Sequence, residues 1–318
     1  MSLYLEHFGL HEAPFKITPH TEFFFPGAQR GMLLQALHYA VMHEEGVVKI
    51  AGPVGSGKTM LCRMLGERLS AEADVIYLAD PSLARHEILD AIAADLRALP
   101  EGGAAETDTA NPRPSTQRLR ALQEQLIARY AQGRRVILLI DEAHAMPPES
   151  LEEIRLLSNL ESNRHKLLQI VLFGQEELDL LLQTDAMRPL RDRITQTFRL
   201  ANFAPEEVVH YLGFRLRAAG AAQSQLFLPP AARLIHKASQ GLTRRINLLA
   251  DKALLAAYSQ GSPQVQAGHV KQAIADCAFH QLSRRSLPGR VWTAGLIVAG
   301  ALAGALLVVA SNWLGKGI

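Results

Sequence analysis

Up to about residue 200, short apolar runs alternate with stretches of helical period; beyond it only the helical period continues. The apolar runs at 47–51, 74–78, 136–140 and 167–173 have strand length and lie between the helical patterns at 32–43, 59–69, 86–99, 116–132 and 149–160. The run VILLI (136–140) does not alternate, which suits a strand covered on both faces, as parallel sheets require. Strand alternating with helix predicts an α/β, doubly wound core. Residues 100–115 (PEGGAAETDTANPRPS) have loop composition, and Gly133 suits a helix C-cap. After about 201 the strand signals stop. Pro205, Pro229 and Thr243 each open a helical pattern, and Ile246, Leu249, Ala253 and Leu254 share one face of the last.

A different pattern closes the chain. Residues 291–313 (VWTAGLIVAGALAGALLVVASNW) carry no charge, and the helix from Trp292 to Trp313 would span roughly 31 Å, the thickness of a bilayer's hydrocarbon core. Buried helices of soluble proteins usually keep a polar face at this length, and interfacial tryptophans flank the segment, so a single membrane crossing is expected. Arg284, Arg285 and Arg290 before it, against Lys316 after it, orient the bulk of the chain to the cytoplasm. Gly300 and Gly304 form a GxxxG, weak support for helix pairing. The expected layout is an N-terminal segment (1–45), an α/β core (46–202), an all-helical domain (203–282), a linker (283–290) and a transmembrane helix (291–313).

Composition narrows the function. The 318 residues allow about two domains, and 48% hydrophobic with 20% charged residues excludes a wholly disordered chain. Lys+Arg 33 against Asp+Glu 31 leaves a net charge of +2, so no global basic field points to nucleic acid. Cys62 and Cys277 are too few for a disulfide scaffold or a multi-cysteine metal site. The 12 histidines show no HxxxH or HExxH spacing. The first 30 residues lack the apolar stretch of a secretory signal, which predicts a reducing compartment for the bulk of the chain.

The chemistry concentrates in a few motifs. Gly52-Pro53-Val54-Gly55-Ser56-Gly57-Lys58-Thr59 is a full GxxxxGK[ST] between a predicted strand and a predicted helix. Its glycines let backbone N–H groups converge on phosphates at a helix N-terminus. Lys58 would reach the β/γ-phosphates of ATP and the Thr59 hydroxyl would ligate Mg²⁺. The VILLI strand ends in Asp141 and Glu142, placed to orient Mg²⁺ through its water shell and to polarise an attacking water. Gln175, at the end of the next strand, either touches the γ-phosphate or attacking water or simply begins a helix. Arg193, and after it Arg191, could be supplied in trans to a neighbour's nucleotide; the other reading of Arg188, Arg191 and Arg193 is an exposed basic helix end. Arg244 is the better of two arginines (with Arg245) for folding back on the nucleotide from the helical domain. Cys62 reads as packing, and Phe23, Phe24 and Phe25 as core anchors or, alternatively, a base-stacking platform.

These motifs together resemble the AAA+ ATPases of the ExeA/GspA type, a group that includes the pilus protein MshM and ATPases of exopolysaccharide clusters. The resemblance covers roughly residues 4–275. It rests on YLEHFGLHEAPFKITP (4–19), GPVGSGKT, ILLIDEAH, LLSNLES with KLLQIVLFGQEEL (156–178) and GLTRRINLLADKALLAAY (241–258). It implies a five-stranded core, a helical lid, a homo-oligomer with nucleotide at subunit interfaces, and Pro14 and Phe15 beside the adenine. It also implies work on a bacterial envelope secretion, pilus or exopolysaccharide apparatus, with inner-membrane assembly proteins as partners. Many relatives carry glutamine where this chain has His144 and proline where it has Thr243; neither departure is expected to touch a group needed for hydrolysis. ExeA-type proteins continue past the membrane helix into a peptidoglycan-binding domain. This sequence runs to Ile318, so no direct peptidoglycan binding is expected.

The expectation is a single-pass inner-membrane protein with a cytoplasmic MgATP-hydrolysing unit. The alternative is a DNA-directed AAA+ ATPase of the transposition or replication-loading type, against which the balanced charge and the anchor count. A non-hydrolysing switch fits poorly with intact Lys58, Asp141 and Glu142.

Overall fold

The four apolar runs are strands of one sheet in the computed structural model, which describes residues 3–99, 115–161, 165–221 and 225–277. In chain order the elements are α1 (Arg30–His43), β1 (Val47–Ala51), α2 (Lys58–Leu69), β2 (Ala73–Leu78), α3 (Arg85–Ala98) and α4 (Ser115–Ala131). There follow β3 (Arg135–Ile140), α5 (Pro148–Leu157), β4 (Leu168–Gly174), α6 (Glu176–Leu182), α7 (Arg188–Arg191) and β5 (Ile194–Arg199). Helices α8 (Pro205–Ala218), α9 (Pro229–Ser239), α10 (Thr243–Ser259) and α11 (Ala267–Ala275) complete the described chain.

The five strands are parallel, in the order β2-β3-β4-β1-β5. Residues of β3 show why its apolar run is unbroken. Val136, Leu138 and Ile140 enter the core under α3, α5 and α6, whereas Ile137 and Leu139 enter the core under α1 and α2. Each fully buried leucine or isoleucine stabilises the fold by about 1.5–3 kcal/mol relative to exposure. The register aligns Ala51 with Gly174 and Ile140 with Leu172, so β1, β3 and β4 end along one rim of the sheet.

No apolar run signals β5. Thr195, Thr197 and Arg199 are exposed and alternate with half-buried Ile194, Gln196 and Phe198. This strand pairs on one side only, with β1, and its outer row of side chains meets solvent. Only the resemblance, not the hydrophobic pattern, led to a fifth strand.

Pro205 and Pro229 sit at the first position of α8 and α9, where a missing N–H costs nothing. The N-terminal segment packs on these helices: His11 N–H donates to Ala219 O (2.8 Å), Arg215 Nε to Pro14 O (2.6 Å), and the Tyr4 hydroxyl to Asp251. Phe15, buried, meets Phe227 edge-on with ring centroids 5.8 Å apart. Phe25 packs against Phe203, Tyr211 and Phe214, so the triple phenylalanine supplies packing anchors. The sheet and these helices belong to one compact unit, Met1–Ala273. The linker and the expected membrane helix at 291–313 lie outside the described residues. Among the described residues no helix is long and apolar enough to cross a membrane.

The segment that leads from β5 into α8 makes a tight approach to the turn between α9 and α10 at Gly241. Its φ is +72°, and an added Cβ would lie 2.2 Å from the Phe203 carbonyl oxygen. Gly241→Ala is therefore expected to lower folding stability by about 2–3 kcal/mol. A urea unfolding midpoint equal to the wild type's would contradict this close approach.

Candidate nucleotide-binding and catalytic site

Three loops meet at the rim where β1, β3 and β4 end. The loop after β1 turns on Gly55 (φ +77°) and Gly57 (φ +105°), conformations that glycine adopts without steric cost. Helix α2 begins at Lys58, so its N-terminus and unpaired amides face this loop. The Lys58 ammonium donates to the carbonyl oxygens of Gly52 (2.9 Å) and Pro53 (3.1 Å) and is 4% exposed. Burial pulls its pKa below the usual lysine value, and the charges of Glu142, Asp141 and Glu177 oppose that shift.

Asp141 follows β3 directly and is buried. Its Oδ1 accepts the N–H of Glu142 (2.9 Å) and its Oδ2 the hydroxyl of Tyr77 (3.3 Å). Burial raises the Tyr77 pKa well above the usual phenol value, with the Asp141 charge adding to it, so Tyr77 acts as a neutral donor. Glu142 adopts a left-handed backbone (φ +52°, ψ +34°), rare outside glycine, asparagine and aspartate. That turn takes its carboxylate off the strand direction and toward β4. There the side-chain amide of Gln175 donates to Glu142 Oε2 (3.0 Å), and His144 Nε2 lies 3.5 Å from the same oxygen.

The first residues of α10 close the loop from the helical side. Arg244 N–H donates to Gly55 O (3.0 Å), and the Thr243 hydroxyl donates to Ser56 O (3.0 Å). An added Cβ on Gly55 would lie 3.0 Å from the Arg244 Cβ.

The structure thus brings together the loop from Gly52 to Thr59, Asp141, Glu142, Gln175 and the backbone of Arg244. It does not bring Arg193 to them. The Arg193 carbonyl accepts the Val47 N–H (2.9 Å) at the start of β1, at the opposite end of that strand from the loop. Five residues of strand separate the two places by about 15 Å. Arg191 is exposed on α7, and Pro14 and Phe15 are engaged in the packing described above.

Two expectations change. His144 and Thr243, the departures judged remote from the chemistry, both touch it: one lies beside the Glu142 carboxylate, the other on a loop carbonyl. Tyr77 belongs to no motif, so the sequence alone does not mark it as a site residue. Tyr77 is one aromatic in the strand ADVIYL, and only the pairing of β2 with β3 brings it alongside the strand that ends in Asp141.

Thr59 and Asp141 offer a hydroxyl and a carboxylate, hard oxygen donors of the kind Mg²⁺ takes when phosphates and water complete its shell. Among the described residues no group of three or more His, Cys, Asp or Glu side chains forms a self-contained metal site. The donor set therefore fits a cation that arrives with its phosphate. Because Tyr77 orients Asp141, Tyr77→Phe is expected to raise the Mg²⁺ concentration for half-maximal nucleotide turnover about tenfold, with nucleotide binding in EDTA unchanged. An unaltered Mg²⁺ titration would show that this hydroxyl has no such role.

Residues 41–182 match the family described as the AAA domain. The chain is 36% identical to general secretion pathway protein A of Aeromonas hydrophila over 98% of its length. It spans about half of that relative, 54%. Solved structures share the fold at low identity. The ORC2 protein of Aeropyrum pernix, in its ADPNP–ADP complexes, has a TM-score of 0.57 and 16% identity over 83% of this chain and 74% of that chain. Cdc6p of Pyrobaculum aerophilum has 0.60 and 16% over 82% and 69%. The RuvB Holliday junction branch migration motor of Thermotoga maritima has 0.53 and 18% over 82% and 73%. All three loops of the rim fall within the segment that matches the AAA domain, and over 98% of its length the chain is similar to general secretion pathway protein A of Aeromonas hydrophila.

Proposed function

We propose that this protein binds and hydrolyses MgATP as a subunit of a homo-oligomer held at the bacterial inner membrane by residues 291–313. There it drives assembly or remodelling of an envelope secretion, pilus or exopolysaccharide apparatus. The observation that carries the catalytic part is the convergence of Lys58, Asp141, Glu142 and Gln175 at the strand ends. The backbone amides from Gly55 to Thr59 would take the β- and γ-phosphates, with Lys58 as their counter-charge. Thr59 and Asp141 would hold Mg²⁺, which neutralises charge on the phosphates when bound. Glu142 accepts a proton from the attacking water, and Gln175 fixes the carboxylate that does so. Arg244 approaches from the helical side. Arg193 would reach a neighbouring subunit's phosphates; its distance from its own phosphate loop, at the far end of β1, supports that reading. The envelope role follows the relationship to general secretion pathway protein A. Similarity to ORC, Cdc6 and RuvB supports the fold alone, so DNA remains an outcome for experiment.

Glu142→Gln is expected to keep ATP binding and lose at least about 100-fold in turnover. Arg193→Ala is expected to do the same. Mixing these two inactive proteins should restore part of the activity, because one subunit keeps its glutamate and its neighbour lends the arginine. Wild-type kcat in Arg193→Ala, or no recovery on mixing, would sink the trans assignment. The role itself is tested by trapping full-length Glu142→Gln with ATP in native membranes and identifying cross-linked partners. Secretion, pilus or polysaccharide components would support it; a transposase, a replication factor or DNA would overturn it.

A further inference from the structure

Arg30, the first residue of α1, is a buried cation that the catalytic scheme leaves unused. It is 7% exposed, and among the described residues no carboxylate lies within the 4 Å of an ion pair. Burial lowers its pKa to about 10, so it is still charged at neutral pH. A methionine or leucine would fill the same space without the cost of stripping water from a charge. Packing alone therefore does not explain an arginine here.

Its contacts do. Arg30 Nη2 donates to Ser56 O at 2.9 Å and lies 3.4 Å from the Thr243 hydroxyl oxygen. Thr243 donates to the same Ser56 carbonyl. The Arg30 guanidinium also stacks 3.7 Å from the centre of the Phe203 ring, in the segment that leads from β5 into α8. One carbonyl of the phosphate loop is thus gripped by a donor from α1 and another from α10.

The peptide bond is planar and trans, so the Gly57 N–H points opposite to the Ser56 carbonyl. Holding the carbonyl toward Arg30 and Thr243 therefore aims the Gly57 N–H away from them. A cationic donor on the carbonyl also polarises that amide and makes its N–H a stronger donor to an anion.

The backbone immediately before Arg30 is strained. Ala28 (φ +54°) and Gln29 (φ +62°) are successive non-glycine residues in the left-handed region. An added Cβ on Gly31 would lie 2.9 Å from Pro26 O, so the turn around Arg30 is tightly packed. Strain of this kind persists where surrounding contacts over-determine it, and it gathers at functional sites.

We propose that Arg30 is a positioning residue for nucleotide: with Thr243 it clamps the Ser56 carbonyl, sets the Gly57 amide for phosphate, and ties the placement of the helical part to the state of the loop. This rests on the MgATP reading above. The clamp acts on ground-state binding, so its loss raises KM and the nucleotide Kd more than it lowers kcat.

The test is a double-mutant cycle in the full-length protein, read by the Kd of a fluorescent ADP analogue, by kcat and KM, and by the urea unfolding midpoint. Arg30→Met and Thr243→Val are each expected to weaken ADP binding about tenfold. The double variant should be hardly weaker than Arg30→Met alone, because both side chains act on one carbonyl. Arg30→Lys should recover part of the binding. Additive losses, or a lowered midpoint with unchanged Kd, would overturn the clamp and leave Arg30 a structural residue. Should Arg30→Met fail to fold, the same cycle run with Arg30→Lys and Thr243→Val decides. Wild-type protein that binds no ADP would overturn the MgATP reading together with the clamp; failure of the clamp alone requires wild-type binding to be intact.

Discussion

Everything at the site depends on β4 lying between β1 and β3. A parallel sheet ends all its strands on the same side, and the register puts the last residues of these three within one rim. The middle strand then carries Gln175 to the Glu142 carboxylate, across from the phosphate loop. Were β1 and β3 direct neighbours, Gln175 would end on an outer strand and that hydrogen bond would be out of reach. Strand order, more than any single side chain, determines which polar groups meet.

Burial then sets the chemistry. Lys58 and Asp141 are both buried at this rim, and each is held by polar partners: carbonyls for the lysine, a backbone amide and the Tyr77 hydroxyl for the aspartate. Charged groups fixed in low dielectric need little rearrangement when a charged ligand arrives, which is how preorganised sites bind and stabilise charge. Glu142 is different. It sits on a strained backbone and shares its carboxylate oxygen between an amide and an imidazole nearby.

Sequence read the site better than its surroundings. The phosphate loop, Asp141 and Glu142 were legible because their spacing is local and each follows an apolar run. Gln175 was legible as a position but not as a partner of Glu142, since that contact depends on strand order. Tyr77, Arg30 and Thr243 were opaque for the same reason: they act across elements, 64, 26 and 187 residues from the groups they bond. Strand β5 was hidden by its edge position, where alternating threonines look like loop. The layout of four strands and the run of C-terminal helices was readable from periodicity because buried strands and amphipathic helices leave different rhythms.

The chain passes between the sheet and helices α8–α10 twice: once through residues 17–29, after the first residues have packed on those helices, and again through residues 200–204. Arg30 and Phe203 stand at these two passages, and they touch. Arg30 also holds the Ser56 carbonyl, so the two passages and the phosphate loop share a single fastening. Any displacement of the helical part that drew Phe203 off Arg30 would pull on the same side chain that holds the loop.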